Sequence, residues 1–102
     1  MSEYTIQEVA AKIDHAVLKP DQTEADLRAH AAMCVKYGVA SLCARPCDVP
    51  LAADLLKGSG VMVSCVLSFP HGADATPVKE AQARQAIADG VDPFAHVPRK
   101  GR

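Results

Sequence analysis

A carboxylate set inside an apolar run is the first feature of this chain with chemical meaning. Asp14 falls within residues 13–18, otherwise dominated by Ile13, Ala16, Val17 and Leu18. Charged side chains are seldom buried without a role or a partner, so Asp14 is read as a site residue. The plainer reading is a strand-end carboxylate bonded to backbone. Its neighbour His15 is read as structural. Lys19, just beyond, is an amine at a plausible reactive end, but an exposed lysine stays protonated near neutral pH and is no nucleophile. Cys43 is read as a small buried hydrophobe that at most lines a pocket. Cys43 and Cys47 with His71 imitate a metal site, yet the spacing lacks the second Cys or His pair that zinc requires, so no metal is expected.

These residues need elements to hold them. Thr5, Ile6, Gln7 and Glu8 form a capping box that opens a short lead helix, with Ile6, Val9 and Ala10 as its apolar stripe. Residues 13–18 make a first strand, stopped by Lys19 and Pro20. Thr23 caps a second helix in which Leu27, Ala31, Cys34 and Val35 follow helical spacing, Glu24 and Arg28 pair, and Gly38 supplies a left-handed end. Residues 39–44 form a short buried strand. Asp48 is expected to cap a third helix with Pro50 in its first turn and Leu51, Leu55 and Leu56 facing inward. Residues 61–69 are the strongest strand signal, and Thr76 with Pro77 starts a last helix carrying Ala83, Ala86 and Ile87 on one stripe, with Glu80 paired to Arg84 and Gly90 at its end.

Strand and helix thus alternate at roughly 20–25 residues per unit with short connections, which is the pattern of an α/β fold with right-handed crossovers. No dinucleotide-type glycine fingerprint and no P-loop follows any strand. At 102 residues the chain fits one small domain, and 49% apolar content with no Trp suits an aliphatic core. A net charge of −1 gives no electrostatic case for nucleic acid or an anionic membrane, and no window is long and apolar enough to span one. The acidic start is unlike a signal region, so the cytoplasm is expected and the four cysteines are read as free thiols.

Five strings carry a resemblance. They are Ile-Asp-His-Ala-Val-Leu-Lys-Pro at 13–20, Ser-Leu-Cys-Ala-Arg-Pro-Cys at 41–47, Leu-Lys-Gly-Ser-Gly-Val at 56–61, Ser-Phe-Pro-His-Gly-Ala at 68–73 and Ala-Arg-Gln-Ala-Ile-Ala-Asp-Gly at 83–90. In order and spacing, the chain resembles the N-terminal part of deoxyribose-phosphate aldolase. The resemblance implies a partial (β/α)8 TIM barrel, about three βα units preceded by a short N-terminal helix. It also implies a class I aldolase that splits 2-deoxyribose 5-phosphate through a lysine Schiff base, with a sugar phosphate as substrate and no cofactor or metal. Asp14 and Cys43 then match substrate-lining positions, while no catalytic residue carries over, because the family's reactive lysines and phosphate loops come from later strands. Ala16, Arg45, Ser68 and His71 stand where the family often has a hydroxyl residue, Asn, Gly and Leu.

The match stops after Gly90. The family's proton-shuttling aspartate falls at Ala95, and Pro93 and Pro98 remove ladder donors, so residues 91–102 are expected to supply no fourth strand and to form an aberrant or disordered tail beyond a domain at 1–90. On this reading the chain alone is an inactive aldolase opening. The alternative is a non-catalytic, self-associating module, since one face and one edge of the sheet are expected to lie uncovered.

Overall fold

The computed structural model of the chain describes residues 3–92 together with the backbone of residues 95 and 96. Helix α1 (Ile6–Ala10) leads into strand β1 (Asp14–Val17), helix α2 (Glu24–Tyr37) and strand β2 (Ser41–Ala44). A 3-10 turn (Pro46–Asp48) then opens α3 (Val49–Leu56), followed by β3 (Met62–Val66), α4 (Thr76–Ala88) and β4 (Ala95–His96). All ladders are parallel and the strands lie in the order β1-β2-β3-β4. An open doubly wound sheet reverses its strand order at a switch point, whereas a barrel adds each strand on the same side of the last. The described strands do the latter.

Local signals act where they are written. Thr5 and Glu8 form the capping box of α1, and Thr23 and Asp26 form that of α2. The Thr23 backbone N–H and hydroxyl hold the Asp26 carboxyl below its ordinary range. Gly38 closes α2 at φ 65°, a conformation that costs a residue with a β-carbon about 1 kcal/mol or more. Gly90 ends the α4 connection at φ 108°, where an added β-carbon would meet the Ala53 side chain at 3.0 Å. The Glu24–Arg28 and Glu80–Arg84 pairs form at 3.3 and 3.9 Å, both exposed.

Side-chain alternation sorts each strand into two sets. Val17, Leu42, Ala44, Val63 and Cys65 turn toward the helices and join Leu27, Ala31, Cys34, Val49, Ala52 and Leu56 in one buried core. Asp14, Ala16, Ser41, Cys43, Ser64 and Val66 take the opposite parity, by the register Asp14↔Ser41, Ala16↔Cys43 and Cys43↔Ser64. That face was expected to be apolar and uncovered. Ser41, Cys43, Ser64 and Val66 are buried, while Asp14 and Ala16 are exposed, and the face mixes polar Asp14, Ser41 and Ser64 with apolar Ala16, Cys43 and Val66.

Five expectations need correction. Ile87 is exposed, because α4 meets the core through Ala83 and Ala86 alone of its proposed stripe. On α1 only Ala10 is buried, and on α2 Val35 is exposed. Asp48 sits at the N-cap of α3 but makes no side-chain capping bond, since its carboxylate is taken by Arg45 and Gln22. A fourth strand does form: Ala95 and His96 pair with Cys65 and Val66. Both paired residues fall between Pro93 and Pro98 in the sequence. The rest of the expected tail, residues 93–94 and 97–102, lies outside the described residues.

Candidate functional site

Asp14 begins β1, and its Oδ1 accepts hydrogen bonds from Ser41 Oγ at 2.5 Å and Ser64 Oγ at 3.0 Å. One carboxylate oxygen thereby ties three adjacent strands together on the face away from the helices. Ser41 and Ser64 are buried, and Ser64 Oγ also lies 3.4 Å from the Leu42 carbonyl. The Cys43 thiol adjoins this group and is pushed up from its ordinary pKa by burial, opposed by a hydrogen bond from Ser64 and reinforced by the nearby Asp14 charge. A thiol held neutral lines a wall rather than attacking. Burial likewise raises the thiols of Cys34 and Cys65.

At the other end of the strands, a cleft of about 440 Å³ opens between the β1–α2, β2–α3 and β3–α4 connections. Leu18, Pro20, Arg45, Val66, Ser68, Phe69 and Asp74 are among its lining residues. The carboxyl end of a parallel sheet is where α/β folds place ligands. Arg45 Nε donates to Asp48 Oδ2 at 2.7 Å, and its Nη1 to the carbonyls of Pro20 at 3.1 Å and Lys19 at 3.4 Å. Asp48 raises the Arg45 pKa further. Gln22 Nε2 donates to the same Asp48 oxygen at 2.9 Å and to the Val17 carbonyl at 3.0 Å. The loops after β1 and β2 are thus joined through one carboxylate. Lys19 is exposed and contributes only its carbonyl to this network.

Ser68 closes the third side of the cleft at φ 54°, a left-handed conformation in a residue with a β-carbon. Its hydroxyl donates to Asp74 Oδ2 at 2.7 Å and accepts from the Asp74 N–H at 3.3 Å, while its own N–H donates to Gln82 Oε1 at 2.7 Å. These bonds offset the backbone strain. Replacing Ser68 by Ala keeps the strain and removes the hydroxyl, so Ser68→Ala is expected to cost about 1–2 kcal/mol. Ser68→Gly relieves the strain and loses less; comparing the two urea midpoints checks the ordering.

His15 turns away from Asp14 toward α2, where its Nε2 lies 3.0 Å from His30 Nδ1. Burial, then the His30 ring, hold the His15 pKa below its ordinary 6.5, against a smaller upward pull from Asp14. The structural reading of His15 fits this placement. Because the unfolded chain takes up that proton first, the contribution of the neutral ring is complete above about pH 6.5 and is lost as pH falls through that value toward the folded one. Stability measured by denaturant between pH 8 and pH 5 should decline on the acid side, and His30→Gln should flatten the decline.

The sequence singles out Asp14 and Cys43 as expected site residues but not Ser41 and Ser64, whose only signal is a small polar residue inside an apolar run, at 39–44 and 61–69. Nor does it reveal the Gln22–Asp48–Arg45 network. Arg45 and Ser68, two of the four departures noted in the sequence, line the cleft, while Ala16 lies on the Asp14 face and His71 is exposed beyond β3. Cys43 is buried and Cys47 exposed, and among the described residues no three His, Cys, Asp or Glu side chains gather as a metal-holding group.

An unreversed parallel sheet with helices on one side and the Asp14–Ser41–Ser64 group on the other has the form of the opening of a (β/α)8 barrel. Comparison with known proteins gives it relatives. The chain is 41% identical over 92 residues to the deoxyribose-phosphate aldolase of Rhodopirellula baltica, covering 90% of this chain and 38% of that protein. It is 45% identical over 84 residues to deoxyribose-phosphate aldolase 1 of Bacillus licheniformis, covering 82% and 38%. The structure superposes on the tetrameric deoxyribose phosphate aldolase of Aeropyrum pernix with a TM-score of 0.85 at 26% identity, over 92% of this chain and 40% of that one. No family model matches the chain. The chain is similar to part of these deoxyribose-phosphate aldolases, and spans about two fifths of the length of the curated relatives it matches.

Proposed function

We propose that these 102 residues form one wall of a deoxyribose-phosphate aldolase. The whole site would cleave 2-deoxyribose 5-phosphate to acetaldehyde and glyceraldehyde 3-phosphate through a lysine imine, in the cytoplasm and with no metal or cofactor. An imine that takes up a proton is an electron sink for the carbanion left when the carbon–carbon bond breaks. The forming amine belongs to later strands of the family, so the 102-residue polypeptide by itself performs no cleavage. Its part is to line the cavity with Asp14 and Cys43 and to hold the cleft behind Arg45 and Ser68.

The observation that carries this reading is the Asp14–Ser41–Ser64 bridge. It spends a carboxylate on the face that a closed barrel turns inward, at a position the family resemblance marks as substrate-lining. The test is a single-chain fusion in which residues 1–92 replace the matching segment of the Rhodopirellula baltica relative. With deoxyribose 5-phosphate or acetaldehyde and borohydride, a stable adduct on one lysine of the fusion supports the proposal, and a folded fusion that traps no imine overturns it. The second reading, a non-catalytic self-associating module, is favoured by exposed apolar residues on α1 and α2. It requires concentration-dependent sedimentation of the 102-residue chain.

A further inference from the structure

Residues 18–23 connect β1 to α2, and their own backbone closes a turn there, from the Gln22 N–H to the Lys19 carbonyl at 3.3 Å. Side chains do the rest of the holding. Arg45, just past β2, donates through Nη1 to the carbonyl of Pro20 at 3.1 Å and to that of Lys19 at 3.4 Å. Gln22 Nε2 reaches back to the Val17 carbonyl at 3.0 Å, and it and Arg45 Nε meet on Asp48 Oδ2 at 2.9 and 2.7 Å. The Arg45 and Asp48 side chains are 24% and 17% exposed, so water competes with this network only in part. Leu18 and Pro20 of the connection, and Arg45 itself, line the cleft of about 440 Å³. Where that wall stands is therefore decided by bonds from a residue 25 positions beyond Pro20.

We infer that Arg45 is a positioning residue: it pins the β1–α2 connection as a fixed wall of the cleft and so sets how tightly the cleft grips a sugar phosphate. The inference rests on the aldolase reading for that ligand, and deepens it by naming a residue that sets affinity without touching the reacting atoms. The guanidinium is a planar fork with donors in fixed directions, which suits it to bridging carbonyls and a carboxylate at once. Its charge is answered by Asp48, and Asp21 adds to the negative field around it, so the surroundings favour holding the loop over binding an anion. The β3–α4 side of the cleft is built the same way, with Ser68 tied to Asp74 and Gln82, so two braced loops bound it. Wall contacts act on bound substrate and transition state alike, and their loss therefore raises KM rather than lowering kcat.

Arg45→Met keeps an apolar stem and removes the fork, while Arg45→Lys keeps the charge but presents it at one point. In the 102-residue chain, both should quicken amide hydrogen exchange at Gln22, whose N–H is bonded within the connection, by at least about tenfold. Exchange in β2 should not change. Arg84→Met, on the exposed face of α4, should alter neither. In the single-chain fusion Arg45→Met should raise KM for deoxyribose 5-phosphate at least about fivefold with kcat within about twofold, and Arg45→Lys should fail to restore it. Gln22→Met should raise KM too, and add little to Arg45→Met, since both act on the same connection. Unchanged exchange at Gln22 would overturn the inference, as would an unchanged KM in an active fusion, a larger effect on kcat than on KM, or full rescue by Arg45→Lys. A folded fusion that traps no imine sinks the aldolase reading instead, and exchange in the chain then decides the part of Arg45 by itself.

Discussion

The fusion joined after Asp92 should turn over deoxyribose 5-phosphate, and the same fusion carried through His96 should be slower by at least about 100-fold. The two differ in four residues, of which Ala95 stands where the family resemblance places a proton-shuttling aspartate. A positioned acid or base contributes roughly 10²–10⁴-fold to a proton transfer, and a methyl group contributes none of it. Ala95→Asp in the longer fusion should therefore recover most of the rate. Steady-state kinetics on the three proteins decides the matter: equal kcat in the two unsubstituted fusions would show that position 95 takes no part. Borohydride trapping should be affected less than turnover, since imine formation and carbon–carbon cleavage use the proton differently.

Loss of the Asp14 carboxylate should be felt in stability and in catalysis together. Asp14→Ala strands the buried Ser41 hydroxyl and leaves Ser64 with only its longer contact to the Leu42 carbonyl. Each buried hydroxyl left without a partner costs about 1–3 kcal/mol, so the urea midpoint of the 102-residue chain should fall by an amount corresponding to about 2 kcal/mol or more. Asp14→Asn keeps an acceptor oxygen and should lose less than half as much. In the fusion both substitutions should lower kcat more than they raise KM if Asp14 faces the reacting groups. A matched loss of stability with unchanged kinetics would leave it a strand clamp alone.

Local grammar was legible and long-range pairing was not. Thr5 with Glu8, Thr23 with Asp26, and Gly38 each act within four residues of chain, so reading the sequence placed two helix starts and one helix end correctly. Strand lengths were overread. The apolar run at 61–69 continues past Val66 because Leu67 is buried below the cleft and Phe69 lines it, which hydropathy does not separate from a strand. Asp48 looked like a cap because its competitors, Gln22 and Arg45, come from a loop 26 residues away and from the preceding turn. Ser41 and Ser64 were silent for the same reason, lying 27 and 50 residues from the carboxylate they share. Asp14 itself was found because a charge in an apolar run is conspicuous without knowledge of its partner.

Asp92 gives the edge of β3 a property that matters beyond this chain. Its N–H donates to the Val63 carbonyl at 2.8 Å, and its Oδ2 accepts from the Val63 N–H at 2.7 Å. One residue thereby occupies both polar groups that Val63 offers outward, and does so before the first residue of β4. The alignment of the incoming segment is set by this anchor rather than by the side chains that come after it, so unrelated continuations can be received in the same phase. A splice placed immediately downstream of Asp92 inherits its registration from the wall it joins.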